Sequence, residues 1–178
     1  MMLRTLHKLI RNQGGTALIE FALILPIMVS LFLGVFEVTR YVAADMRLAN
    51  AAQVMADMVA QQTNVSDTAT SMTDFCNASK DSMYPLAGAS LKVAVASVTH
   101  YSSGTSQDWS DVTCNTATAI ANSTTLASTL IPNVNDSVII VQATYAYTSP
   151  ISYVLKSSYT MTQSAFARPR NVTTVTHS

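Results

Sequence analysis

The sequence predicts an α+β protein in which one long N-terminal helix, transmembrane and then amphipathic, packs on a small antiparallel β-sheet head. Three observations carry this. An apolar run from Ala17 to about Val38 is interrupted only by Glu20, Pro26, Ser30, Gly34 and Glu37. An apolar stripe continues past it, with no glycine or proline between Val35 and Gln62. Further on, three segments alternate apolar and polar residues with the period of a half-buried strand.

Composition agrees with an anchored protein. Of the 178 residues, 49% are hydrophobic and only 11% charged, against about 25% charged in soluble domains. That length holds one small domain plus an anchoring element. Ten basic residues balance ten acidic ones, so no affinity for nucleic acid is indicated. Arg4, Lys8 and Arg11 precede the apolar run with no acid among them. This asymmetry predicts an N-terminus in the cytoplasm and the remainder across the membrane.

Residues 1–15 read as a polar, basic leader. From Phe21 to Phe36 there is no charge. As a helix, Thr16 to Val38 reaches about 34 Å, enough for a hydrocarbon core of roughly 30 Å. Pro26 removes one backbone hydrogen bond, which predicts a kink or a locally loosened turn. Gly34 offers a close-packing surface. Beyond the span, Tyr41, Leu48 and Met55 recur every seven residues, interleaved with Val38, Ala52 and Val59. Arg40, Asp45, Arg47, Asn50, Gln53 and Asp57 lie on other faces. One continuous helix over 16–62 follows, and its stripe covers either the chain's own head, the favoured reading after Leu48, or helices of other subunits.

Residues 63–170 read as the extracytoplasmic head. Thr63 to Ser82 is polar and loop-like. Leu91, Val93 and Val95 alternate with Lys92, Ala94 and Ala96. Ser137 to Thr148 puts Ile139, Val141, Ala143, Tyr145 and Tyr147 on one face, and Tyr159 to Ala167 alternates similarly. These strands predict an antiparallel sheet with one face on the helix. Ile151 to Leu155 is a short apolar connector. Ser102 to Asp136 reads as a long polar insertion holding Trp109 and Cys114, with Thr116 to Leu130 as a short helix. Residues 171–178 are a polar tail expected to be disordered.

Cys76 and Cys114 have no CxxC partner and no histidine cluster nearby, which argues against zinc or a thioredoxin-like role. Outside the cytoplasm a disulfide is the simplest reading, and two buried free thiols are the alternative. His100 reads as a surface residue at a strand end, and Asp108 and Asp111 as a solvated turn around Trp109. No glycine-rich phosphate loop, nucleophile elbow or HExxH motif occurs, so no catalytic residues, no metal and no cofactor are expected.

The basic-then-apolar order also suits a secretory signal cut near Val42-Ala43-Ala44. The apolar run is longer than the roughly 7–15 residues of such a segment, and Glu37 and Arg40 intervene. The lone carboxylate of Glu20 is the more telling feature. A charge in a span costs about 2.5–3.5 kcal/mol or more near the centre, unless it merely snorkels to the surface.

Gly15-Thr16-Ala17-Leu18-Ile19-Glu20-Phe21 resembles the processing site of Flp-type prepilins and pseudopilins: glycine, four residues, glutamate, an aromatic. The longer stretch from Gly15 through Pro26, Leu33-Gly34-Val35-Phe36-Glu37 and Arg40 is similar to the TadE-like (TadE/TadG) pseudopilins of the tight-adherence (Tad/Flp) pilus system. The resemblance covers about Gly14 to Met58. Ala167-Arg168-Pro169-Arg170 also resembles the C-terminal end of such proteins. It implies a pilin-like fold and cleavage after Gly15 by a prepilin peptidase, leaving Thr16 as the N-terminus. Glu20, beside Phe21, would then pair with the α-amino group of a neighbouring subunit. Opposite charges that are costly alone in a low dielectric become tolerable together, which makes the pair a register device.

The implied partners are the prepilin peptidase, other pseudopilins, Flp-type pilin subunits and membrane lipid. The implied location is the bacterial inner membrane, single-pass, with the head in the periplasm or carried into the surface pilus. Major Flp pilins are little more than leader and helix, so a chain with a strand-rich head is expected to be a minor pseudopilin that primes or caps the filament. No D-x-S-x-S metal motif of the TadG-like relatives occurs. The competing reading is a permanently anchored extracytoplasmic binding protein.

Overall fold

The structure, a computed structural model, describes residues 15–66 and 71–178, with the Ser71 side chain excepted. The expected leader therefore lies outside the described residues, apart from Gly15. Helix α1 spans Thr16–Ala60, 45 residues, and runs through Pro26 without a break. Beside the proline, the Ser30 hydroxyl donates to the Pro26 carbonyl at 2.7 Å.

Strand β1 (Asn64–Val65) and helix α2 (Ser71–Ser82) follow, then β2 (Leu91–Tyr101), β3 (Gly104–Cys114), helix α3 (Ser123–Ser128), β4 (Ser137–Tyr147), β5 (Tyr159–Ala167) and β6 (Thr176–His177). The main sheet has the order β3-β2-β4-β5, with every neighbouring pair antiparallel. The architecture is α+β, as the sequence predicts.

The C-terminal half of α1 lies on one face of this sheet. Ala44, Leu48, Ala51, Ala52, Met55, Ala56, Val59 and Ala60 are buried there, together with Val93, Val95, Ile139, Val141 and Ala143. The seven-residue stripe thus covers the chain's own head. Alanine at so many of these positions lets helix and sheet approach closely, while Leu48 and Met55 supply volume. Tyr41 closes the membrane-proximal end, meeting Tyr147 and Tyr159 edge-on at 5.7 and 6.3 Å. On the opposite face a second cluster joins Ala94, Ala96, Val98 and Ile140 to Ile120, Ala127 and Ile131. This explains why β2 and β4 are buried on both sides along much of their length.

Four expectations change. The polar segment ending at Ser82 contains α2, in which Met72, Cys76, Ser79 and then Met83 are buried. Those positions share one helical face, but Ser79 breaks the apolar pattern that would have revealed it. The polar insertion contains β3, an edge strand. An edge strand in water can be polar on both sides, which erases the alternation. The short helix shrinks to Ser123–Ser128.

The tail is ordered. Its β6 pairs in parallel with β1, Val175 is fully buried, and the Trp109 indole donates to the Val175 carbonyl at 2.7 Å. Trp109 also stacks on His177 at 4.9 Å. Backbone pairing and one aromatic hold the tail where composition suggested nothing would.

The polar side chains of β3 have structural partners. Asp108 accepts from Ser97, Thr99 and Tyr101 at 3.1, 2.6 and 2.7 Å. That carboxylate, through its hydrogen bond and its charge, raises the Tyr101 phenol above its ordinary value. Asp111 is buried and accepts from the Thr113 amide and hydroxyl, each at 2.8 Å. His100 is half-buried, its Nδ1 at 2.8 Å from the Ile131 carbonyl. Asp111 and His100 are thus not the surface groups that the sequence suggested, while Asp108 is exposed but lies on strand β3 and not in a turn.

Candidate functional site

Helix α1 carries two carboxylates, Glu20 and Glu37, about 26 Å apart along its axis at 1.5 Å per residue. Their surroundings differ completely. From Thr16 to Val29 every residue is exposed, and large apolar side chains such as Phe21 and Leu23 are 60% and 70% accessible. Glu20 and Phe21 stand on this bare stretch, and Gly15 and Thr16 lie at its start, equally exposed. The structure therefore brings the processing and register residues together only along one helix end. A bare apolar rod of this length is stable in lipid or against other helices, where its backbone groups are already satisfied internally.

Glu37 is 1% exposed. Its Oε1 accepts from the Ser149 hydroxyl at 2.7 Å and the Tyr153 amide at 2.8 Å. Its Oε2 accepts from the Val154 and Leu155 amides at 2.5 and 3.0 Å. Four donors on one carboxylate match its lone-pair capacity. Such charge-assisted bonds are roughly twice as strong as neutral ones. The loop between β4 and β5 is thereby tied to the helix, and it continues down α1. The Tyr153 hydroxyl donates to Ser30 Oγ at 2.9 Å, and the Val154 side chain would lie 3.7 Å from a Cβ placed on Gly34. The loop thus packs over Gly34, at a distance where a Cβ would make ordinary van der Waals contact.

In the sequence Glu37 interrupts the apolar run, stands against a signal cut and belongs to the family-like stretch, but none of these gives it a partner. The signal was present in two halves: an acid in a span needs donors, and the apolar connector Ile151–Leu155 needs acceptors for its amides. Nothing in the sequence alone joined them.

At the other end of the family-like stretch, the C-terminal motif closes on the same helix. The Arg170 amide donates to the Ala60 carbonyl at 2.9 Å, and its guanidinium meets Asp57 at 3.1 Å. Asn171 donates to the Gln61 carbonyl at 2.6 Å. Cys76 and Cys114 are joined in a disulfide between α2 and β3, with Cα atoms 5.6 Å apart. Among the described residues, no group of three or more His, Cys, Asp or Glu side chains is placed to hold a metal ion.

The fold defines an α+β protein whose antiparallel head is backed by one helix, Thr16–Ala60, long and apolar enough to cross a membrane. Within it, residues 15–57 match the family model described as TadE-like protein. The match covers 43 of the 178 residues, all on α1 or at its start. It begins at Gly15, includes both carboxylates and ends at Asp57, the partner of Arg170. No curated protein and no solved structure matches the chain.

Proposed function

We propose that the protein is a minor pseudopilin that primes or caps a Tad/Flp pilus. In this reading residues 1–15 are a cytoplasmic leader, 16–62 the anchor, and the remainder a periplasmic head. The observation that carries it is the TadE-like match starting at Gly15 and running along the uncovered part of α1. A prepilin peptidase in the inner membrane cuts after Gly15. The new Thr16 amine and the Glu20 carboxylate of adjacent pseudopilin or Flp-type pilin subunits then satisfy each other. Each is costly to hold alone in lipid, so a subunit seats in the register that pairs them. The head stays on its own α1 and does not compete for that surface.

The mass of the chain recovered from cells with an active prepilin peptidase checks the cut. A species beginning at Thr16 is expected; an intact Met1 start refutes processing and favours a permanently anchored binding protein. Glu20→Ala is expected to leave membrane insertion unchanged while pilus output falls by an order of magnitude or more. Unaltered piliation in that variant removes the register role.

A further inference from the structure

We infer that the loop Ser149–Leu155 is a second membrane-contacting element, seated in the outer leaflet beside α1. The inference rests on α1 spanning the bilayer and is independent of processing or pilus assembly. Depth comes first. With Thr16 at the inner edge of the hydrocarbon, Ser30 lies about 21 Å along the helix and Glu37 about 31 Å, where a core of roughly 30 Å ends. The loop touches the helix at Ser30 and Gly34 and is held at Glu37. It therefore hangs from the outer boundary into the lipid. Shifting the span toward Arg40 only deepens it.

The chemistry of the loop fits that place. Pro150 to Val154 are all exposed, with Ser152 the one polar side chain among them; Ile151, Tyr153 and Val154 are 40%, 47% and 52% accessible, aliphatic groups plus an aromatic of the kind enriched at membrane interfaces. Irregular backbone is tolerated at membrane depth only if its polar groups are satisfied by protein. Of the five amides from Ile151 to Leu155, four have protein acceptors: the Ser152 amide donates to Ser149 Oγ at 3.3 Å, and the next three all go to Glu37, which leaves only that of the exposed Ile151. Pro150 has no amide to satisfy.

The charges follow the same order. Lys156 is exposed directly after the loop, and one turn above Glu37 a cleft of about 360 Å³ is lined by Arg40, Arg47, Tyr147, Thr148 and Pro150. Cations at this level face lipid phosphates. The Glu37 clamp is thus what lets a loop lie in lipid, and the occupant of its outer surface is phospholipid.

The test uses the full chain in phosphatidylethanolamine/phosphatidylglycerol vesicles carrying a nitroxide lipid with the spin label near the headgroup. Because Cys76 and Cys114 are bonded to each other, a single added cysteine can be labelled with an environment-sensitive fluorophore without reduction. Val154→Cys is expected to lose severalfold more emission to the nitroxide than Val134→Cys, a control 50% exposed just before β4, at the end of the head away from Tyr147. Its label should also resist aqueous iodide. Adding Glu37→Ala to the Val154→Cys chain should reverse both readings, while the near-ultraviolet spectrum of Trp109 stays native.

A Val154 label as open to iodide as the Val134 label overturns the inference. So does protection that appears only at high protein density with cross-linking between copies, because that makes the loop a subunit contact. Leu23→Cys separates the premises: if it is quenched while Val154→Cys is not, only the loop assignment fails. If Leu23→Cys also escapes quenching, the span itself is wrong and the loop assignment falls with it.

Discussion

Glu37→Ala is expected to release the loop between β4 and β5 from the anchor helix and to lower the stability of the membrane-proximal head by about 2–4 kcal/mol. Each hydrogen bond to a charged acceptor contributes about 1.5–3 kcal/mol, and the carboxylate receives four. Summing them overstates the loss, because a freed loop at the surface recovers water. The energetics therefore favour local opening over global unfolding. Hydrogen exchange should show the amides of Tyr153, Val154 and Leu155 losing protection together, while those of β2 and β4 keep theirs. Glu37→Gln should fall between, since an amide offers one acceptor oxygen and turns its NH2 toward two of the donors. Unchanged protection at these three amides in Glu37→Ala would contradict the clamp.

Removing the disulfide is expected to cost a comparable amount by a different route. The bond closes a loop of sequence separation 38, for which the chain-entropy relation gives about 3–4 kcal/mol. Cys76→Ser with Cys114→Ser should lower the urea midpoint of the head, followed through Trp109 on the strand that the bond secures. The position of the bond explains why a small head needs it. Helix α2 is short and has low helix propensity, and β3 is a polar edge strand, so neither is held by much apolar burial. A double variant with the wild-type midpoint would show that packing at Met72 and Met83 suffices without the bond. The two perturbations act on opposite ends of the head, at the membrane and at the sheet edge, and should add when combined.

What the sequence determined by itself is whatever is written in periodicity and local charge. The long helix, β4 and β5 were legible from their apolar pattern: a period of 3.6 residues along Tyr41–Val59, and of two along Val141–Tyr147 and most of Tyr159–Ala167. The TadE-like character of the anchor was legible for a similar reason, as Gly15, Glu20 and Phe21 form a short linear pattern. Elements whose stability is non-local were not. Strand β3 has polar faces and exists because β2 lies beside it; α2 hides its buried face behind Ser79; the tail is ordered by Thr63, Val65 and Trp109, which are distant in sequence.

Glu37 is the sharpest instance. Read along the chain it is one more interruption in an apolar run, like Glu20. Only the tertiary structure decided that one carboxylate stays on a bare helix while the other meets Ser149 and three consecutive amides from a loop more than a hundred residues away. The physical reason is that a charge reveals its cost in the sequence but not its partner. Which donors meet that cost depends on where the fold returns the chain.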